Sequence, residues 1–212
     1  MSKPNILFSV PTAKSVSAET VLALTSISYD ERITYAQSKG APVEWVRNTL
    51  ARMCLDGNYT HLMMMDSDIV PPENIVELLL ECDHPMAAAI VPIYIAGKIV
   101  SNVRIEIDGA EVFMERCPSD KPFLVKAAGT GCVLIAREVF ERIPWPWFEY
   151  HEEFDGTRIG EDIDFSMKAA KYGLQYMAHP KALCGHIKEV NLLDIVKKHN
   201  ENKELPVSWE PA

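Results

Sequence analysis

Two acidic side chains, one residue apart, follow a short apolar stretch of the chain. The run Met63–Met65 leads into Asp66, Ser67 and Asp68. Apolar runs that end in turn residues are typical of buried strands, and ligands of open α/β sheets bind beyond the carboxyl ends of such strands. Paired carboxylates there suit a hard divalent cation, Mg²⁺ or Mn²⁺, which can itself hold a diphosphate. The pair alone also fits a turn without a ligand, because turns favour Asp and Ser.

Two further polar clusters could complete such a site. Gly160, Glu161 and Asp162 stand at the start of a predicted helix, and His186 follows a short apolar stretch near the C-terminal end. Each cluster alone is weak evidence for a site. Helix dipoles and capping, for example, also favour acids at a helix start. A lone histidine is more often structural than a ligand. The three clusters together, in this order, favour one shared site.

Composition narrows the class of protein. The chain has 212 residues, of which 48% are hydrophobic and 24% charged, which predicts one globular domain at 1–190 and a C-terminal helix and tail at 191–212. The net charge of -9 argues against a nucleic-acid partner, since phosphates must be neutralised by Lys and Arg. No apolar stretch approaches the roughly 18 residues that span a bilayer, and the first strand is too short for a signal peptide. We therefore expect a cytoplasmic, soluble protein.

The cysteines indicate neither a disulfide framework nor a zinc site. Their number is odd and they lack CxxC spacing, so we expect reduced and mostly buried thiols. They are Cys54, Cys82, Cys117, Cys132 and Cys184.

Apolar runs and amphipathic stretches alternate along the chain, which is typical of an α/β layer fold. The predicted strands are Asn5–Val10, Ile33–Gln37, Met63–Met65, Pro85–Tyr94, Val103–Met114 (a hairpin turning at Asp108-Gly109), Phe123–Ile135 (interrupted at Gly129-Thr130-Gly131) and Leu174–Met177. The predicted helices are Ala18–Ile27, Glu44–Leu55, one with Pro71 and Pro72 in its first turn, Arg137–Ile143, Glu161–Tyr172 and Asn191–Lys198.

Two of these segments carry further expectations. The helix Glu44–Leu55 is predicted to bury Val46, Leu50 and Met53 on one face. Between Pro144 and Gly160 the periodicity disappears, and a loop this long is uncommon unless it is a lid or a binding wall. The alternative is that its aromatic residues cover an edge of the core. These residues are Trp145, Trp147, Phe148, Tyr150 and His151.

In this order along the chain, the polar motifs resemble the GT-A family of nucleotide-sugar glycosyltransferases, particularly small members from phage and bacterial genomes. The resemblance covers most of the chain. It rests on Val10-Pro11-Thr12, Arg47-Asn48, the DxD motif Asp66-Ser67-Asp68, Gly129-Thr130-Gly131, Glu161-Asp162 and His186. It implies an α/β fold with a mixed, mostly parallel sheet flanked by helices.

The resemblance also implies a role for each motif. Asp68 and His186 are expected to bind Mn²⁺ or Mg²⁺, and Asp66 to approach the donor ribose, or the cation through water. Arg47 is expected near the diphosphate or among the acids, although an ordinary surface charge on the helix is the alternative. The full set of expected donor-binding residues is Pro11, Thr12, Arg47, Asn48, Asp66, Ser67, Gly129, Thr130 and Gly131.

The implied reaction transfers a sugar from a UDP- or GDP-sugar to a hydroxyl of a glycan or another acceptor. The leaving diphosphate gains negative charge, which a cation stabilises. Asp162 is the expected base if the anomeric centre inverts, with Glu161 binding donor or acceptor hydroxyls. If configuration is retained, the leaving phosphate oxygen takes the proton instead. The domain is short for this class, so a partner protein, a second copy of the chain or the C-terminal tail from Ile187 is a candidate to complete the acceptor surface.

Three other functions fit part of the sequence. A HAD-type phosphatase would use Asp66 as nucleophile and Asp68 as acid and base, but that motif normally lies on the first strand. A GT-A-fold nucleotidyltransferase would need a glycine- and lysine-rich loop after the first strand, which is absent. The third is a non-catalytic module that binds sugar nucleotides or glycans.

Overall fold

A computed structural model describes residues 3–12, 15–36, 42–95 and 98–189. The strands are β1 (Ile6–Ser9), β2 (Ile33–Tyr35), β3 (His61–Met65), β4 (Ile69–Val70), β5 (Met86–Ile90), β6 (Pro92–Ile95), β7 (Lys98–Ser101), β8 (Val103–Ile107), β9 (Ala110–Phe113), β10 (Phe123–Val125), β11 (Ala127–Ala128), β12 (Cys132–Ala136), β13 (His151–Glu152), β14 (Arg158–Ile159), β15 (Tyr176–Leu183) and β16 (Gly185–His186). The helices are α1 (Ala18–Ile27), α2 (Val43–Asp56), α3 (Ile75–Glu81), α4 (Arg137–Arg142) and α5 (Glu161–Lys171).

The central sheet has seven strands in the order β10-β15-β5-β12-β3-β1-β2. Strands β1, β2, β3, β5 and β15 run in one direction, and β10 and β12 run in the other. Helices pack on both faces of this sheet. The predicted mixed, mostly parallel sheet flanked by helices is therefore confirmed.

Strand β3 is buried on both faces. Leu62 and Met64 pack in one core layer with α2, α4 and α5, while Met63 and Met65 pack in the other with α1 and α3. Because successive side chains of a strand point to opposite faces, a strand between two layers is apolar throughout. The pairing of Met65 with Cys132 sets the register of β3 and so the position at which Asp66 leaves the sheet.

The predicted strand Pro85–Tyr94 is wrong as one element. It divides into β5 in the central sheet and β6, which pairs with β7 in a separate ribbon. At the division, Asn102 Oδ1 accepts a hydrogen bond from the Val91 amide at 2.8 Å, and the Asn102 amide donates to the Val91 carbonyl at 2.8 Å. These bonds take the place of ladder bonds, so the chain leaves the central sheet at Val91.

The two prolines after the acids precede helix α3 instead of opening it. The helix begins at Ile75, and the Ile75 amide donates to the Pro72 carbonyl at 3.1 Å. A residue before proline avoids the helical region, so Val70 and Pro71 both stay extended. Val70 lies in β4, which pairs with β16.

The predicted hairpin at Asp108-Gly109 is confirmed, with Ile107 opposite Ala110. Asp108 has φ 51° and Gly109 φ 82°, the two left-handed conformations that a type I′ turn needs. The segment Phe123–Ile135 forms β10, β11 and β12, with the glycine turn between the last two.

The buried face of α2 and the bounds of β15 differ from the prediction. On α2 the buried residues are Val46, Arg47, Leu50, Ala51 and Cys54, while Met53 is 41% exposed. At about 100° per residue, Met53 lies about 90° from the middle of that face. The strand predicted at Leu174–Met177 begins two residues later and is longer, because the Leu174 amide still bonds to the last turn of α5 at Ala169.

The five cysteines are unpaired, and four of them are buried. Among the described residues, none of the helices combines the length and the apolarity needed to cross a bilayer. The predicted helix Asn191–Lys198 and the tail to 212 lie outside the described residues.

Candidate functional site

The DxD segment is fixed at the edge of the sheet by backbone hydrogen bonds. The Asp66 amide donates to the Gly131 carbonyl at 2.8 Å, and the Ser17 amide, at the N-cap of α1, donates to the Ser67 carbonyl at 2.9 Å. The acids and the glycine turn therefore share one edge. This juxtaposition follows from the antiparallel pairing of β12 with β3, in which Cys132 lies opposite Met65.

The guanidinium of Arg47 contacts two of the predicted acids. Its Nη2 donates to Asp66 Oδ1 at 2.8 Å, and its Nη1 contacts Glu161 Oε1. Burial by itself lowers the pKa of Arg47, but Asp66 and Glu161 outweigh it and raise the pKa above its ordinary value. At 4% exposure Arg47 is not a surface charge, which removes that alternative.

Glu161 is the buried member of the acidic pair at the start of α5. Its side chain is 8% exposed. Burial raises the pKa of Glu161 above its ordinary value, although Arg47 and a hydrogen bond from Tyr150 favour the ionised form. The Tyr150 hydroxyl thus links the aromatic loop to the Arg47–Glu161 pair.

The carboxylate of Asp162 lies close to two glycines, which have no side chain to contact it. A Cβ on Gly160 would lie 2.8 Å from Asp162 Oδ1, and one on Gly129 would lie 3.3 Å from Asp162 Oδ2. Asp162 Oδ1 also accepts a hydrogen bond from the Ile163 amide at 2.8 Å. A side chain at either position would therefore meet the Asp162 carboxylate unless that carboxylate moved.

A cavity of about 220 Å³ opens at this edge of the sheet. Six of the predicted site residues line it: Asp66, Gly129, Thr130, Gly131, Asp162 and His186. The structure thus brings together residues that are up to 120 positions apart in the sequence (186 minus 66). Ile93, Ile95 and Phe113 add an apolar wall.

Thr130 has an unsatisfied polar atom beside this cavity. The residue is 1% exposed, and its Oγ1 has no hydrogen-bond partner. Buried hydroxyls are normally paired, so an unpaired one that lines a cavity suits a ligand hydroxyl or phosphate oxygen.

Asp68 and His186 form the candidate cation site. His186 Nδ1 lies 2.6 Å from the Pro92 carbonyl, which can only accept, so Nδ1 carries the proton and Nε2 faces Asp68. The distance from Nε2 to Asp68 Oδ2 is 3.3 Å. Two ligands about 2.1 Å from one cation, at a right angle, lie about 3 Å apart, so the pair fits Mg²⁺ or Mn²⁺.

The chain supplies only part of a coordination shell there. Within the described ranges, no three His, Cys, Asp or Glu side chains are arranged to hold a metal together. Mg²⁺ in nucleotide sites commonly takes one or two protein ligands and completes its shell with water and substrate phosphates. The Asp68–His186 pair would supply two protein ligands to such a site.

Lys188 is a contact that sequence reasoning missed. Its Nζ donates to Asp68 Oδ2 at 2.6 Å, and the Ile187 amide donates to the Asp68 carbonyl at 2.8 Å. Burial raises the pKa of Asp68, but the Lys188 hydrogen bond and His186 outweigh it and hold the pKa below its ordinary value. The only sequence signal was a lysine two residues after His186.

Asn102 was also missed. It is 5% exposed, and its Nδ2 donates to the Gly129 carbonyl at 3.0 Å. Together with its bonds to Val91, this contact ties the glycine turn to the end of β5. An isolated asparagine between two apolar stretches was the available signal.

Several predicted residues do not line the cavity. Pro11 is buried just after β1, and Thr12 Oγ1 donates to the Ser15 carbonyl at 3.1 Å. Asn48 instead supports the aromatic loop: its Oδ1 accepts from the Trp147 amide at 2.9 Å and its Nδ2 donates to the Phe148 carbonyl at 2.7 Å. The roles of these residues toward a donor stay predictions.

The strand order and the helices on both faces give the chain an α/β fold of the GT-A type. Solved structures with similar folds include A197 from STIV, with a TM-score of 0.63 and 21% identity over 87% of this chain and 86% of that one. Another is GalNAc-T7 with UDP, GalNAc and Mn²⁺, with a TM-score of 0.55 and 14% identity over 88% of this chain. The match spans 38% of the GalNAc-T7 chain. No family model and no curated protein matches the sequence.

Proposed function

We propose that this protein is a metal-dependent glycosyltransferase that moves a sugar from a nucleotide-diphosphate sugar to an acceptor hydroxyl. The observation that carries the proposal is the convergence of Asp66, Asp162 and His186 on one cavity at the sheet edge. Ligands of open α/β sheets bind at such edges. The likeness to GalNAc-T7, which was solved with UDP, GalNAc and Mn²⁺, supports a UDP- or GDP-sugar donor.

The proposed donor site combines charged side chains with the glycine-containing turn before β12. Arg47 holds Asp66 and Glu161 in place. Asp68 and His186 would hold Mn²⁺ or Mg²⁺, with Asp66 acting through water. When bound, the cation stabilises the charge of the leaving diphosphate. The turn that contains Thr130 offers its unpaired hydroxyl to the donor.

Asp162 is the proposed base of an inverting transfer. The acceptor oxygen forms a bond to the anomeric carbon as the bond from that carbon to the diphosphate oxygen breaks, and Asp162 takes the hydroxyl proton. Its Oδ1 is held by the Ile163 amide, which leaves Oδ2 for that proton. In a retaining transfer the leaving phosphate oxygen takes the proton. The anomeric configuration of the product, measured by NMR, distinguishes the two.

Calorimetric titration with Mn²⁺ and UDP- and GDP-sugars, combined with detection of released nucleoside diphosphate, tests the function. We expect Asp68→Ala and His186→Ala to abolish metal-dependent donor binding, and Asp162→Asn to lower turnover while donor affinity is kept. Asp56→Ala, an exposed acid at the end of α2, is the control. Unchanged donor affinity in the first two variants would refute the cation site.

The same measurements separate the competing functions. Donor binding without turnover, with acceptors supplied, would favour a non-catalytic module. Release of inorganic phosphate from phosphate monoesters, without binding of nucleotide sugars, would favour the HAD-type phosphatase. A cytoplasmic location and a single domain at 1–190 belong to this proposal as well.

A further inference from the structure

A second depression lies between α2 and the segment that follows α4. Its volume is about 680 Å³, within the range of roughly 300–1,000 Å³ that small-molecule sites occupy. We call it the aromatic groove and define it by Glu44, Trp45, Arg52, Trp145, Glu149 and Tyr150.

The rings of the aromatic groove are exposed although rings beside them are not. Trp45 is 63% exposed, Trp145 61% and Tyr150 59%, whereas Trp147 and Phe148 are buried in the core. The alternative that the loop only covers the core therefore explains two of its rings and leaves the others unexplained. Large aromatic side chains exposed side by side mark binding surfaces.

Side-chain hydrogen bonds fix the backbone that carries the rings of the aromatic groove. Asn48 accepts from the Trp147 amide at 2.9 Å and donates to the Phe148 carbonyl at 2.7 Å. Lys168 Nζ donates to the Pro146 carbonyl at 3.1 Å, and Arg52 lies 6.0 Å from the centre of the Trp145 ring. A surface whose backbone is fixed in advance loses little conformational entropy when a ligand binds.

The aromatic groove also contains a polar group without a partner. Glu44 Oε2 is buried and has no hydrogen-bond partner, although a carboxylate oxygen can accept two bonds. A ligand hydroxyl is the kind of donor that would satisfy it.

Tyr150 connects the aromatic groove to the buried charged residues of the candidate active site. Tyr150 lines the groove and hydrogen-bonds to Glu161, which contacts Arg47 and adjoins Asp162. A ligand that extends from the groove past Tyr150 would approach the acids at the start of α5.

We propose that the aromatic groove binds the acceptor, and that the acceptor is an oligosaccharide whose pyranose rings stack on Trp45 and Trp145 while a sugar hydroxyl donates to Glu44. This inference rests on the proposed function. A pyranose ring has one face of C–H groups, which packs on an indole, and an edge of hydroxyls, which suits a carboxylate. Rigid exposed indoles give such contact at low entropic cost.

The test is retention of the protein on an array of neutral, amino-substituted and acidic oligosaccharides, with Ser- and Thr-containing peptides on the same array. The best glycan is then titrated calorimetrically. We expect Trp45→Ala and Trp145→Ala to weaken its binding at least ten-fold and Trp45→Phe to weaken it less. Tyr29→Ala removes a ring that is 89% exposed and outside the groove, and it is the control.

Each outcome decides the inference. Glycan binding that is lost in the tryptophan variants supports it, provided that thermal unfolding shows the variants to be folded. No glycan retained by the wild type, equal retention by Trp45→Ala, or tryptophan-dependent retention on peptides would overturn it. Titration of the wild type with Mn²⁺ and nucleotide sugars is a separate readout, so failure of the donor site and failure of the groove are distinguishable.

Discussion

Arg47 has the most constrained position of the residues at the site. It is the positive charge between Asp66 and Glu161, and it is nearly inaccessible to water. The partners of a buried charge offset part of its desolvation cost, and removing one partner leaves the others unpaired. The side chain therefore contributes both to the fold and to the placement of the acids.

We expect Arg47→Met to lower the free energy of unfolding by about 3 kcal/mol, because Glu161 is left as a buried carboxylate without its cation. Urea unfolding measures the loss. Lys126→Met breaks the exposed pair with Glu106 and serves as control, with an expected cost below about 1 kcal/mol. Equal effects of the two substitutions would contradict the role given to Arg47.

The raised pKa of Glu161 predicts a pH dependence. Burial raises this pKa above its ordinary value of 4.5, so the folded protein keeps the proton to higher pH than the unfolded chain does. The contribution of Glu161 is then largest below about pH 4.5 and is lost as the pH rises through the folded-state pKa. We expect the stability of the wild type relative to Glu161→Gln to fall across that window. Urea unfolding from pH 4 to 7, without divalent cations, measures it; a relative stability that rises with pH would show that Arg47 dominates.

Lys188 competes with any cation for Asp68 Oδ2. We expect Lys188→Met to tighten Mn²⁺ binding several-fold, because a metal then no longer displaces an ammonium group. Calorimetry with Mn²⁺ alone measures this, and Lys181→Met, an exposed lysine on β15, is the control. Weaker Mn²⁺ binding by the Lys188 variant would mean that the lysine helps to assemble the site.

At the scale of elements, the start of α5 and the turn before β12 fit together because both carry glycine. The backbone of Gly160 has φ -64° and ψ 152°, which any residue can adopt. The constraint is therefore the space that the Asp162 carboxylate takes up, and not the backbone conformation.

A double-mutant cycle tests this constraint. We expect Gly160→Ala to destabilise the protein and lower turnover in the wild type, because the new Cβ would meet Asp162 Oδ1 at 2.8 Å. In the Asp162→Ala background the same substitution should cost little, since the crowded oxygen is gone. Unfolding free energies of the four proteins give the coupling. Equal costs of Gly160→Ala in both backgrounds would show that the cost does not come from contact with Asp162.

Local patterns predicted the elements better than the contacts between them. The alternation of apolar runs, the Asp108-Gly109 turn and the acids at a strand end are local signals, and the structure contains all three. The break between β5 and β6 depends on Asn102, eleven residues from Val91. The pairing of Arg47 with Glu161 joins positions 114 residues apart. Such contacts are set by the order of strands, which periodicity does not encode.

At the scale of the whole molecule, the candidate site draws on the ends of β3 and β16, the turn before β12, and the start of α5. A ligand that touches all of them binds the folded chain and not the unfolded one. Such a ligand must stabilise the entire fold by mass action.

We therefore expect UDP with Mn²⁺, at about 100 times its dissociation constant, to raise the free energy of unfolding by about 2.7 kcal/mol. Thermal unfolding with and without both ligands measures the shift. Asp68→Ala and His186→Ala should show no shift, and addition of a chelator should reverse it in the wild type. A shift in the wild type that survives the chelator would mean that donor binding is independent of the metal.

The position of β12 between β3 and β5 has a consequence for how the protein folds. This strand lies between β3 and β5, although it begins 67 and 42 residues after they end (132 minus 65, and 132 minus 90). It must enter the middle of the sheet after both neighbours have been synthesised, and such long-range pairing is slow. Until it enters, the turn at Gly129–Gly131 does not face Asp66. We expect partly folded chains to be unable to bind a donor, so that binding competence arises in one late step of folding.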